Sequence, residues 1–284
     1  MISIDLTGNC GDQMMRYAIC RSVAEKNNYD FGINKITSHD YYGGKEQMYF
    51  FKDLDYGLPS NTPYGELPPG TDNIWEEKRE LHQGYNFHPF QPDIFDVSAN
   101  TKLVIYCGQD AQYLDKEKIQ QWFTIDDKFS QESDILLKIN KIKLDENTCV
   151  INCRGGECRS VPSLFLTHNY WDKAIEVMRK RNPDFEFIVV TEDPEFYKTF
   201  FDFPVYHFNI HTDYYIVNNA KNLILSNSGF GIFPIWTNKH KPYVIAPYLW
   251  ANHNFGKKEE WANSNMRSWT DFNFMNKDGE LYDK

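Results

Sequence analysis

Residues 149–160 read CVINCRGGECRS. The run up to Arg154 is short and mostly apolar, with Asn152 its one polar residue, the pattern of a strand buried on both faces. It ends in Arg154 and two glycines. Parallel α/β sheets bind ligands beyond the carboxyl ends of their strands, so this strand delivers an arginine to the place where chemistry is done. A guanidinium is a planar fork that meets phosphate at two points. Cys149, Cys153 and Cys158 form no C-x-x-C pair, and no paired His or Cys knuckle follows them. Zinc spacing is therefore poor. With Cys10, Cys20 and Cys107 they read as reduced, buried or half-buried thiols.

Outward from this strand a β-α-β rhythm runs on. NYWDKAIEVMRKRN reads as helix, FEFIVVT as strand, DPEFYKTFF as helix and VYHFN as strand. DYYIVNNA (helix), NLILSN (strand), GFGIFPIWTN (helix) and PYVIAP (strand) complete a doubly wound unit. Upstream, MISIDL alternates as a strand and TGNCGDQ is a Gly-rich turn. A helix follows, with Met14, Tyr17, Ala18, Val23 and Ala24 at helical spacing, and then the strand YDFGI. TKLVIYCG is a further strand, and DAQYLDKEKIQQWF and SQESDILLKINKI are helical. The expected fold class is α/β, with two Rossmann-like domains at 1–143 and 144–284 that meet in the connector 141–147. Residues 34–100, rich in Gly, Pro, Asn and Tyr, read as long surface loops with room for one short helix near WEEKRELHQGYNFHPFQPDIF. Such loops often shape a substrate site. The tail 261–274 carries two tryptophans and is expected to pack back on the core.

Composition sets limits on partners. The chain has 284 residues, 41% of them hydrophobic and 25% charged, with a formal net charge of −10. A general nucleic-acid binder carries a basic footprint, and none is visible. No apolar run approaches the ~20 residues of a membrane span. The opening MISIDL lacks the basic start of a signal peptide. The expectation is a cytoplasmic protein with a small-molecule ligand and neither a nucleic-acid partner nor a transmembrane segment.

Three more strand ends carry informative residues. In GNCGDQ, Gly11 lets backbone approach a ligand at the start of a helix, and a plain tight turn explains the same residues. In VVTEDPEF, Glu192 and Asp193 follow a buried strand. Thr191 or Asp193 as N-cap before Pro194 is one reading, and a ribose or base contact is the other. In ILSNSGFGIF, Ser226, Asn227, Ser228 and Gly229 open an apolar helix, where hydroxyls and free N–H groups suit an anion. Arg154 and SNSG in one α/β unit point to a nucleoside diphosphate. Arg159 either supports Arg154 or is a solvated surface charge.

Five blocks in order, from Gly8 to Trp236, resemble the bacterial and animal alpha-1,2-fucosyltransferases. GNCGDQMMRYAICRSVA is similar to their G-x-G-N-Q-M-F-Q-Y-A opening, and YCGQDAQYLDKEKIQQWF to G-Y-x-Q-S-E-K-Y-F. NCRGGE lies where they carry H-x-R-R-G-D. LTHNYWDKAIEVMRKRNPDFEFIVVTEDPEF resembles their Y-Y-x-K-A-I helix and F-S-D-D turn. DYYIVNNAKNLILSNSGFGIFPIW resembles D-L-x-L-M-S-x-C-K-x-x-I-x-x-N-S-T-F-S-W-W. The resemblance implies a GT-B-like pair of Rossmann domains and a GDP-sugar donor, usually GDP-fucose. It further implies inversion at the anomeric carbon, a glycan acceptor, and neither metal nor cofactor. By position Arg154 would contact the donor diphosphate, and Ser228, Gly229 and Phe230 its phosphate or base. Asn152 stands where the family has His, Gly155 where it has a second Arg, Glu157 where it has Asp, and Asp12 where it has Asn. Asp12 is the candidate general base, with Glu157 and His88 as competitors, and capping the following helix is its other reading. A transferase of another nucleoside-diphosphate sugar, and a nucleotide- or carbohydrate-binding module without turnover, are the alternatives.

Overall fold

The strand at Ile2–Thr7 (β1) buries its apolar side chains and runs into a helix, Cys10–Lys26 (α1), whose Met14, Tyr17, Ala18 and Val23 cover the sheet. This architecture is that of a computed structural model, which describes residues 1–37, 47–57, 73–82, 85–106, 108, 110–255 and 272–282, with backbone alone at 37, 80–82, 85–87, 157 and 255. The tryptophans of the tail, Cys107, and much of 34–100 lie outside those residues. The chain forms two compact units, Met1–Thr124 and Ile125–Lys284.

In the first unit α1 leads to Phe31–Thr37 (β2), followed by Asn73–Glu76 (β3), a small antiparallel pair, Glu80–His82 (β4) and Tyr85–Phe87 (β5), and then Thr101–Val104 (β6). The sheet order is β2-β1-β6-β3, with every neighbouring pair parallel. The strands β3, β4 and β5 all fall in the stretch 34–100 read from sequence as loop with room for one short helix. The short helix expected there is a single 3-10 turn at Pro92–Asp96. Arg16 of α1 donates to the carbonyls of Thr7 at 3.0 Å and Ile105 at 3.1 Å, tying together the carboxyl ends of β1 and β6. A last helix, Lys116–Trp122 (α2), is capped by the Asp115 carboxylate at the N–H groups of Glu117 and Lys118.

The second unit opens with Asp127–Ile139 (α3). The strands are Thr148–Cys153 (β7), Glu186–Thr191 (β8), Val205–Tyr206 (β9), Asn222–Leu225 (β10), Tyr243–Pro247 (β11) and Asn273–Met275 (β12). The helices between them are His168–Arg181 (α4), Pro194–Phe200 (α5), Ile210–Asn219 (α6) and Gly229–Thr237 (α7). The order is β12-β11-β10-β7-β8-β9, parallel throughout. The chain therefore steps outward from β7 to β9 and returns to the other side of β7 at β10. That is the Rossmann order, with its switch point between β7 and β10. All six residues of β7 are buried, with Trp171, Tyr170 and Met178 of α4 packed in the same core. Phe272 is buried and the tail continues as β12. The division falls at Thr124 rather than in the 141–147 connector because α3 packs on α6. There, Ser133 Oγ and Thr212 Oγ1 share a buried hydrogen bond at 3.1 Å. Among the described residues no helix is long and apolar enough to cross a membrane.

Candidate functional site

The register of the second sheet builds the site. Cys153 of β7 pairs with Thr191 of β8, so the next residues out, Arg154 and Glu192, stand side by side. Arg154 Nη1 donates to Glu192 Oε1 at 2.6 Å, and the Gly155 N–H donates to the same oxygen at 2.8 Å. One residue further, the Gly156 N–H donates to Asp193 Oδ2 at 3.1 Å, and Arg159 Nε lies 3.0 Å from that oxygen. The loop 154–159 is thus held twice by β8, and two guanidiniums are matched by two carboxylates. A Cβ on Gly155 would lie 2.5 Å from Asp193 Cβ. The position where the resembling family has a second arginine has no room for a side chain here. The Tyr197 hydroxyl closes the loop from below, donating to the Arg154 carbonyl at 2.8 Å.

Arg159 stands at the surface, as one of its readings had it, and is also anchored. Its guanidinium lies over the Phe196 ring, 4.5 Å from the centroid. Asp193 holds the N-cap position of α5, with Pro194 in the first turn, yet its carboxylate makes no capping bond and crosses to the loop.

On the other side of the switch point, the Ser226 N–H donates to the Asn152 carbonyl at 2.9 Å, joining β10 to β7. Asn152 is buried, with Nδ2 on the Val190 carbonyl at 3.3 Å. Ser226 Oγ is buried and, among the described residues, has no hydrogen-bond partner. Ser228 is the N-cap of α7 and makes no side-chain cap bond. The N–H groups of Gly229 and Phe230, which open α7, lack intrahelical partners by geometry, whereas that of Gly231 donates to the Ser228 carbonyl at 3.1 Å. The Phe230 ring meets Tyr214 edge-on at 5.8 Å. Asn227 has a different task. Its amide donates to the carbonyls of Leu164, at 2.9 Å, and Trp250, clasping two loops of the carboxyl edge. The structure therefore brings Arg154, Asn152, Asp193, Ser226, Ser228, Gly229 and Phe230 to one edge, while the Glu157 side chain lies outside the described residues.

In the first unit Gly11 is buried within the first turn of α1, and Asp12 Oδ2 accepts the N–H of Asn9 at 3.1 Å, half of a capping box. Gly8, at φ +84°, makes the turn that allows this, since a Cβ there would meet Asp12 Oδ2 at 2.5 Å. His88 Nδ1 is 3.5 Å from the buried Glu77 carboxylate, longer than a formed hydrogen bond. Glu77 also accepts the N–H groups of Tyr106 at 2.7 Å and Gly108 at 2.9 Å.

Two features escaped the sequence reading. His207, just beyond β9, lies on the same edge with Nδ1 2.7 Å from Asp213 Oδ2 of α6. That hydrogen bond raises the His207 pKa, while burial pushes the Asp213 carboxyl up. A histidine directly after a strand, with an aspartate in the first turn of the next helix, was the available signal. The second is His253, buried against Tyr170 with ring centroids 5.1 Å apart and, among the described residues, with neither nitrogen hydrogen-bonded. Burial lowers its pKa to about 4. The buried cysteines behave as expected of packing groups. Burial raises the thiol pKa of Cys10, Cys149 and Cys153, and that of Cys20 to about 12. Among the described residues no three His, Cys, Asp or Glu side chains are grouped as metal ligands.

No family model matches the sequence, and no curated protein does. Solved structures similar to the chain include POFUT1 in its apo form, with 8% identity over 86% of this chain and 97% of that one, at a TM-score of 0.47. NodZ alpha-1,6-fucosyltransferase soaked with GDP-fucose has 11% identity over 83% of this chain and 92% of that one, at a TM-score of 0.48. A family 9 glycosyl transferase from Veillonella parvula DSM 2008 has 11% identity over 86% of this chain and 80% of that one, at a TM-score of 0.47.

Proposed function

We propose that the chain is an inverting, metal-independent glycosyltransferase of the GT-B kind. It moves a sugar, fucose from GDP-fucose by the motif resemblance, to a hydroxyl of a glycan acceptor. One observation carries the reading. The Rossmann switch point of the second unit is flanked by Arg154, the first residue past β7, and by the start of α7 after β10. A diphosphate fits such a place because a guanidinium and free amide N–H groups both complement anionic oxygens.

In the proposed displacement, the acceptor oxygen forms its bond to the anomeric carbon as the bond to the phosphate oxygen breaks. The electron pair leaves with GDP, and the acceptor proton passes to a base, for which Asp12 is the candidate. Negative charge grows on the leaving phosphate. Arg154 and the Gly229 and Phe230 amides would stabilise it, and preorganised donors of this kind contribute roughly 3–4 kcal/mol each. GDP is expected to raise the melting temperature, GDP-fucose to be turned over, and Arg154→Ala to cut that turnover by about 100-fold. If no nucleoside diphosphate shifts the melting curve, the assignment fails.

A nucleotide-binding module without turnover is the second reading. It is favoured by the pairing of both guanidiniums with carboxylates. A screen of GDP-, UDP- and dTDP-sugars separates the two: a GDP shift with no sugar released or transferred selects the module, and a response to UDP alone selects another donor.

A further inference from the structure

We propose that Arg159 is a second anion-binding arginine of this site, holding the diphosphate beside Arg154. The inference rests on the nucleotide-binding reading above. Two arginines, five residues apart on one loop, are treated differently by the fold. Arg154 is mostly enclosed, its side chain 15% exposed, and its Nη1 is taken by Glu192. Arg159 is 43% exposed, and only its inner Nε faces a carboxylate, that of Asp193. Among the described residues neither of its Nη groups makes a hydrogen bond.

The side chain is nevertheless not loose. The same Asp193 oxygen accepts the Gly156 N–H, and the Phe196 ring lies under the guanidinium. An arginine fixed by Nε and by a ring face, with the outer Nη edge open, is a preorganised two-point donor for phosphate oxygens. An ordinary surface arginine must lose its rotamer freedom when it binds, and this one has largely lost it already.

The loop geometry explains why the second cation comes from this distance. Contact between Gly155 and Asp193 leaves no space for a side chain at 155. The 3-10 turn Gly156–Ser160 then returns Arg159 to the very carboxylate that excludes one there. A bound diphosphate carries more negative charge than one guanidinium balances, and Arg154 is already shared with Glu192. A second fork with free donors fills that need, and it serves the diphosphate rather than the nucleoside.

The test is isothermal titration of the full chain. It uses GDP, UDP and dTDP, with the parent nucleoside of whichever diphosphate the wild type binds. Arg159→Gln is expected to weaken that diphosphate about tenfold or more, since hydrogen bonds to charged groups are worth about 1.5–3 kcal/mol, and to leave the nucleoside unchanged. Arg159→Lys keeps the charge but not the fork, and is expected to recover only part of the loss. Phe196→Leu leaves both arginines in place and is expected to weaken the diphosphate by a smaller factor. It provides the check if Arg159→Gln folds poorly. Wild-type diphosphate affinity retained within about twofold by Arg159→Gln, or by Phe196→Leu should the former not fold, overturns the role of Arg159 and leaves the nucleotide site standing. Absence of any diphosphate binding by the wild type overturns both.

Discussion

His253 is the residue whose surroundings have the most direct thermodynamic consequence. It is 2% exposed, and among the described residues neither ring nitrogen has a partner. Burial disfavours the charged form, so the folded pKa drops to about 4, below the ordinary value of about 6.5. The sign follows from linkage. Between those values the unfolded chain takes up a proton that the folded chain refuses. The stabilisation is complete above pH 6.5 and is lost as pH falls toward 4, by about 3 kcal/mol in all. Urea unfolding of the wild type against His253→Leu checks this, because the variant is expected to lose that part of the acid slope. At this scale the sequence told much about Arg154, since an arginine that ends a mostly apolar strand and precedes two glycines has few other readings. It said nothing of Glu192 as its partner. That contact depends on Cys153 pairing with Thr191 across two strands, and register is a property of the assembled sheet. The same gap hid the reason for Gly155, which is Asp193 and not the turn itself.

The elements show where local pattern suffices and where it does not. Helix α1 was legible from its apolar spacing, but its start at Cys10 came earlier than the first periodic residue, Met14. The turn at Gly8 and the Asp12–Asn9 contact add that first turn. Asp12 therefore has two claims on it, as cap and as proposed base. Asp12→Asn keeps an acceptor for the Asn9 N–H and removes the charge. Its unfolding free energy is expected to change by less than about 1 kcal/mol. Turnover is expected to fall about 100-fold, the contribution of a general base. A variant as active as the wild type leaves Asp12 a cap alone. The strands β3 and β12, four and three residues long, were not read from sequence. Elements so short carry too little periodicity, and they exist because a neighbouring strand already offers its edge.

At the scale of the molecule, the two parallel α/β units were visible as a rhythm that restarts, and their internal strand orders were not. The division at Thr124 assigns α3 to the second unit. Leu137 of α3 is buried, and the Phe129 ring meets His211 of α6 at a tilt of 44°, centroids 4.7 Å apart. A fragment spanning 125–284 is expected to unfold cooperatively and to retain GDP affinity. A fragment spanning 144–284 strips the cover from α6 and is expected to aggregate or melt without a transition. Calorimetry on the two decides it.

The paired charges at the ends of β7 and β8 have a kinetic consequence as well. Arg154 with Glu192, and Arg159 with Asp193, cancel at distances beyond a few ångströms. The empty site therefore projects little attractive field into solution, while the chain as a whole carries −10. If the proposed function holds, a nucleotide approaching the site is repelled until it is close enough to engage individual donors. Added salt screens that repulsion over the Debye length, about 8 Å at physiological ionic strength. The association rate of GDP in stopped flow is thus expected to rise with salt, whereas an electrostatically steered site slows. The design trades speed of capture for a vacant site that carries no mutual repulsion between its cations.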